Sequence, residues 1–223
     1  METAIDRMRA LSEGWLGLGD RRAIFAQAYE TMTANMLNAI ESGEFLDGAW
    51  VGTLLDRFAD YYFLAVEAYD NDDGSCPVVW HDAMTACSAD HLHPLQLLFL
   101  GINAHINYDL AFAISDVLPD WADLDPERRE QRRRDHEGVN RVISHTIDAV
   151  QSTVVEPVSP LLGLLDRALG PIDERLFAHL IARWRDDVWT YAVHLLESSP
   201  SERSEVSRAI ERRALHHADV ISI

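Results

Sequence analysis

Pro94-Leu95-Gln96-Leu97-Leu98-Phe99-Leu100-Gly101-Ile102-Asn103-Ala104-His105-Ile106-Asn107-Tyr108-Asp109-Leu110-Ala111-Phe112-Ala113-Ile114-Ser115-Asp116-Val117-Leu118 decides how this chain folds. Proline suits the first turn of a helix, where its missing N–H removes nothing. The stretch carries no charge from Pro94 to Tyr108 and is apolar nearly all round. A helix of that character is enclosed by others. At about 100° per residue its polar groups sort onto two faces, Gln96, Asn103 and Asn107 on one, His105 and Asp109 on the other. His105 and Asp109 stand four residues apart, so their side chains can meet. A carboxylate and an imidazole inside an apolar core are costly unless partners face them.

Working outward, Gly and Pro divide the rest of the chain into blocks that read as helices, and strand alternation is nearly absent. A short first helix ends near Ser12, and Gly14 to Gly19 reads as a loop with Asp20 as a helix cap. A long helix follows to Ser42, with Phe25, Tyr29, Met32, Met36 and Ile40 on one face. The next spans Gly48 to Tyr69, and a shorter one spans Pro77 to Ser88. Beyond the central helix, Asp125 and Pro126 open a long helix to about Val155. A short apolar helix covers Ser159 to Leu169. Pro171 begins another long helix to Ser198, and a polar one covers Glu202 to Asp219. The expectation is an all-α fold: one globular bundle of eight or nine helices around a buried central helix. It forms a single domain over 1–223, with its core at about 20–198 and a peripheral C-terminal helix at 199–223.

Composition narrows the function. Apolar residues make up 48% of the 223, enough for a sizeable core. No window holds the roughly 18 or more consecutive apolar residues that read as a membrane span. The N-terminus lacks the basic start and apolar run of a signal peptide, so a cytoplasmic location is expected. The net charge of −18 argues against nucleic acid and anionic membranes as partners. The one basic run, Arg128 to Arg134, is interleaved with Glu127, Glu130, Asp135 and Glu137 and reads as a solvated helix face. All 19 basic residues are Arg, which excludes Schiff-base and P-loop lysine chemistry and points to a GC-rich bacterial genome. Cys76 and Cys87 read as reduced, semi-buried thiols.

The buried polar cluster is the candidate site. Asp135 projects into the apolar stripe of its helix (Val139, Val142, Ile143, Thr146), with His136 and Asn140 at the edge. Arg185 sits within the face formed by Ala178, Ala182, Trp189 and Ala192. A buried Arg calls for a carboxylate, which Asp109 or Asp135 could supply. Asp56 and Asp60 border the aromatic face of Phe58, Tyr61 and Tyr62.

Three readings stay open. In the first, a small-molecule enzyme of isomerase, cyclase or lyase type uses His105 as general acid or base, oriented by Asp109. Asp135, Arg185 and Asn107 support the chemistry, and Arg185 or Asn107 steadies developing negative charge. Asn103, Tyr61, Tyr62, Trp80, Trp189 and His136 line the substrate site. No cofactor is then needed. In the second, His105, Asp109 and Asp135, with Asp56 or Asp60, bind a divalent metal in a hydrolase. In the third, the cluster is a structural network in a binding or scaffold protein, with aromatic faces mediating homo-oligomerisation. No HExxH, GxSxG, Walker A or GxGxxG occurs, and no Glu-x-x-His suggests a carboxylate-bridged di-iron bundle. His81-Asp82 has no upstream histidine for an HD phosphohydrolase. His91-x-His93 and His216-His217 read as surface pairs.

The run from Pro94 to Leu110 resembles the signature of an uncharacterised bacterial family, domain of unknown function 5995. Asp56-Arg57-Phe58-Ala59, Trp80, Asp135 with Asn140, Leu164-Leu165-Asp166, and Arg185 with Trp189 are similar too. His136 and Asp187 depart from the pattern, which has an aromatic and a small residue there. The resemblance implies an all-helical fold and points to the same polar cluster. It implies no activity.

Overall fold

The computed structural model describes residues 3–72, 74–150 and 172–223. Every regular element among them is helical: α1 (Ala4–Leu18), α2 (Ala23–Glu41), α3 (Gly48–Asn71), α4 (Val78–Ala86), α5 (Pro94–Asn103), α6 (Leu110–Asp116), α7 (Pro126–Val150), α8 (Ile172–Glu197) and α9 (Pro200–Ile221). A π-helical turn, Ala104–Asp109, joins α5 to α6, and a 3-10 turn, Trp121–Asp123, precedes α7. The expected helix at Ser159 to Leu169 and the Leu164-Leu165-Asp166 turn lie outside the described residues.

The run from α5 through the π turn to α6 is one continuous element, flanked by α2, α3, α4, α8 and α9. By length and composition it could cross a membrane, but 78% of its most apolar window is buried inside the bundle. Small residues make the enclosure tight: Ala104, Ala111 and Ala113 are fully buried. Two apolar clusters meet along this element. One gathers side chains of α1, α2, α4 and α5, including Met8, Trp15, Phe25 and Trp80. The other gathers α3, α6, α7 and α8, including Leu54, Ile114, Val139 and Val188.

Local chemistry sets the helix ends. Thr3 and Asp6 form a capping box on α1, and Ser199 with Glu202 forms another on α9. The Asp125 carboxylate accepts from the Arg128 N–H at the start of α7. His93 and Gln96 reciprocally cap α5.

Three boundaries differ from the sequence reading. Helix α1 continues through Gly14 and Gly17 to Leu18, because Trp15 is buried against the bundle and holds that turn. Gly19, at φ 69°, ends it in the left-handed conformation. Helix α2 begins only at Ala23, yet the Asp20 carboxylate accepts from the Arg22 N–H as a cap does and also grips the Arg22 side chain. The C-terminal helix is not peripheral: Ile210, Ala214 and Ala218 are buried, and the Ala214 carbonyl accepts from Asn103 Nδ2. Alternating small residues on a polar helix let it lie close against α5. The core therefore reaches beyond 20–198 at both ends, since Met8 of α1 is also fully buried.

Gly101 marks the closest approach of α5 to α2. A Cβ at that position would lie 2.5 Å from the Phe25 ring and 2.8 Å from the Phe25 Cβ. The Phe25 Cβ cannot swing away, so this overlap outweighs the higher helix propensity of alanine. Gly101→Ala is expected to destabilise the fold by about 1–3 kcal/mol, read as a lowered urea midpoint. An unchanged or raised midpoint would show that the approach is looser than described.

Candidate functional site

The π turn brings the central polar groups into place. The Leu110 N–H bonds the His105 carbonyl, one residue further along the chain than in an α-helix. Within that turn, His105 Nδ1 lies 3.0 Å from Asp109 Oδ2. Trp80 Nε1–H donates to the same oxygen at 2.8 Å. His105 is 3% exposed and Asp109 1%. Phe58 lies flat on the imidazole, ring centroids 3.5 Å apart, and the Tyr29 ring stands against it at 4.4 Å. His105 Nε2 and the Tyr29 hydroxyl have no hydrogen-bond partner among the described residues.

Burial pushes the Asp109 carboxyl well above its usual range, against the opposing pull of the Trp80 N–H. Burial also pushes the His105 imidazole well below its usual value. Both shifts favour a pair without net charge. Such a pair is either a carboxylic acid donating to Nδ1 or a carboxylate beside an imidazolium. In both, Nε2 carries a hydrogen. Burial raises Tyr29 far above the ordinary phenol value, so its hydroxyl also stays protonated. Two donors, on rings packed against each other, are thus left unused. When the pair loses a proton, Nε2 becomes a base.

These groups border a cavity of about 310 Å³. Its wall is built from α2, α3, α5, α6, α7 and α8 together with the π turn. Among the described residues it is apolar except for Tyr29, His105, Thr146 and Arg185. The Thr146 hydroxyl is committed to the Val142 carbonyl and to Asn35 Nδ2.

Arg185 forms a second polar group on α7 and α8. Its Nε donates to Asn140 Oδ1 at 2.9 Å, and its Nη2 to the His136 carbonyl at 2.7 Å. Nη2 also lies 3.3 Å from His136 Nδ1, while His136 Nε2 lies 3.0 Å from the Arg185 carbonyl. A guanidinium only donates and a carbonyl only accepts, so His136 is the neutral tautomer with hydrogen on Nε2. Burial pulls Arg185 down to about 9, which leaves it protonated at neutral pH. The expected carboxylate is missing: among the described residues neither Asp109 nor Asp135 pairs with it, and all its acceptors are uncharged.

Other expected site residues lie elsewhere. Asp135 is buried, but its two oxygens accept from the backbone N–H groups of Leu46 and Asp47, tying the α2–α3 connection to α7. Asp56 and Asp60 are exposed on α3. The proposed metal set is therefore not assembled: of His105, Asp109, Asp135, Asp56 and Asp60, only the first two meet. Among the described residues no three His, Cys, Asp or Glu side chains cluster as metal ligands. Asn107 Nδ2 donates to Asn103 Oδ1, and Asn103 reaches Ala214, so this pair faces α9 and not the cavity. Tyr61 bonds Asp116 on the outer side of α3. Tyr62 and Trp80 pack behind His105, and Trp189 packs on His136 and Trp121. None of Asn103, Tyr61, Tyr62, Trp80, His136 or Trp189 lines the cavity. The sequence reading missed Tyr29. Its place on an apolar helical stripe marks it as core, and nothing in the spacing shows that its hydroxyl lacks a partner.

Asp135→Ala is expected to cost about 2 kcal/mol by leaving two backbone donors without their acceptor. The cavity should be unaffected, so chemical denaturation should register the change while the NMR signals of His105 and Tyr29 stay in place. The pH behaviour of His136 follows from its two commitments. Burial, reinforced by the Arg185 charge, holds its imidazole well below the usual value. A depressed folded pKa contributes stability above the unfolded value of about 6.5 and loses it as pH falls through the folded one. Imidazole ¹⁵N shifts should therefore report the neutral Nε2–H tautomer of His136 through pH 6.5. A midpoint near 6.5 would contradict the clamp.

No curated protein and no solved structure matches this chain. A profile described as a family of unknown function (DUF5995) matches residues 1–222, nearly the whole length. With the all-helical fold and the signature around His105, the chain belongs to this family.

Proposed function

We propose that this protein is a small-molecule enzyme that moves a proton on an apolar substrate. The observation that carries the reading is the pair of unpartnered buried groups, His105 Nε2 and the Tyr29 hydroxyl, on side chains that line an apolar cavity. Leaving a buried polar atom without a partner costs about 1–3 kcal/mol each. A substrate oxygen seated between them would remove that cost.

The chemistry follows from the dyad. With the pair neutral, Nε2–H and the Tyr29 O–H donate to a carbonyl or hydroxyl oxygen of the substrate and stabilise charge developing there. From that state His105 Nε2 gives its proton to the substrate, and the deprotonated nitrogen then takes one back from another substrate atom, while Asp109, held by Trp80, keeps the ring oriented and balances its charge. The apolar wall lowers the local dielectric, which strengthens each interaction. Isomerisation, cyclisation or elimination needs no more than this. Asn107 and Asp135 have no part in the mechanism, and Arg185 remains as the cationic group in the same cavity. A cavity of about 310 Å³ sits at the lower end of the usual size for small-ligand sites.

The test is His105→Gln, which keeps a side chain able to bond Asp109. Wild type and variant are incubated in D₂O with a small-molecule extract of the cells that make the protein. Mass spectrometry then follows isomeric products and deuterium uptake. Wild type should convert at least one apolar, oxygen-bearing compound, and the variant should be slower by about 10²–10⁴-fold while remaining folded. If both proteins leave the extract unchanged, or both convert it equally, the enzyme reading fails. If the variant unfolds, the network is structural.

A further inference from the structure

Arg185 is 4% exposed and lines an apolar cavity to whose wall the described residues contribute no Asp or Glu. Three of its five N–H groups are spent on Asn140 Oδ1, the His136 carbonyl and His136 Nδ1. These partners fix the guanidinium plane without neutralising it. Its Nη1 makes no hydrogen bond among the described residues, and no ion pair there includes Arg185. Burying a lone cation is among the most costly arrangements in a protein interior. Here the cation is additionally held rigid, by a side-chain and main-chain clamp on one neutral histidine.

From this geometry we infer that the cavity binds an amphipathic monocarboxylate, its carboxylate on Arg185 Nη1 and its apolar body against Phe99, Ile106, Ile143 and Ile181. The inference rests on reading the cavity as the ligand site, but not on the dyad's proton chemistry. Three features select this class. The free donor capacity is the two N–H groups of one nitrogen, which suits one carboxylate. A single positive charge balances a single negative one, whereas a phosphate dianion would stay undercompensated in apolar surroundings. Among the described residues the rest of the wall is apolar apart from Thr146, whose hydroxyl is committed, and from Tyr29 and His105, whose unpartnered polar atoms are buried, so the body of the ligand is largely hydrocarbon with an oxygen function near that dyad.

Decanoate and 1-decanol, matched in chain length, are the probes. Binding is measured by calorimetry on the full chain below the micellar range. Decanoate should bind one molecule per chain at least about tenfold tighter than decanol, the worth of a charge-assisted hydrogen bond. Arg185→Met should erase that preference while still accepting decanol. If this variant does not fold, wild type with [1-¹³C]decanoate decides: the carboxyl signal should shift on binding and stay ionised. Equal binding of the two probes, or binding of neither, overturns the inference, as does an R185M protein that still prefers decanoate. The two readings can fail separately. A decanoate preference without any His105-dependent conversion leaves this inference standing and removes the enzyme. Conversion with equal binding of the two probes does the reverse.

Discussion

The carboxyl group of Asp109 sits where water cannot reach it, and the surrounding structure is arranged to make that tolerable. Trp80 from α4 supplies an N–H, His105 from the same π turn supplies a ring nitrogen, and Phe58 and Tyr29 close over the ring. Each of these comes from a different part of the chain, so α2, α3 and α4 must all dock on the central element before the pair is enclosed. The π turn matters for the same reason. Residues 105 and 109 meet within it at i and i+4, while Asn103 and Asn107 bond on the opposite face. The element is thus tied to α4 on one side through Asp109 and to α9 on the other through Asn103.

Much of this is legible in the sequence because it depends on spacing within one helix. The i and i+4 relation of His105 to Asp109, and the separate face of Asn103 and Asn107, follow from helical geometry and hold in the structure. Composition around Pro94 likewise identifies the buried element. Partners across helices are different. That Asp135 serves backbone N–H groups, and not Arg185, depends on where the α2–α3 connection passes, and no periodicity encodes that. Arg185 meets His136 and Asn140 because α7 and α8 pack at one particular register. Sequence places all three near the same face and cannot say which charge is left unmatched. Asp56 and Asp60 show the limit most plainly. They flank an aromatic face, yet a rotation of one residue position puts them in solvent. The glycines at 14 and 17 mislead in the other direction, since burial of Trp15 overrides two weak helix formers.

The two polar groups of the cavity wall differ in kind. The His105–Asp109 pair contains both an acid and a base, so its charge can be cancelled internally. The Arg185 group contains a cation and only neutral acceptors, so its charge cannot. A structural network that merely fixes helix packing would be served by the first arrangement and harmed by the second. Methionine at position 185 would fill the same space without the desolvation penalty.

The surface sharpens the point. The chain carries a net charge of −18, a field that repels anions at long range. Salt screens that field in solution over about 8 Å, so the surface charge opposes the approach of anions while contacts of a few ångströms decide binding inside the cavity. Inside, the full charge that the described residues place on the wall is that of Arg185. The combination disfavours small hydrophilic anions, which meet repulsion outside and gain no apolar contact within. It favours molecules whose hydrocarbon drives them out of water and whose acidic group is accommodated only at the end. Selectivity for an apolar acid therefore arises from the opposition of surface and interior charge as much as from the shape of the cavity.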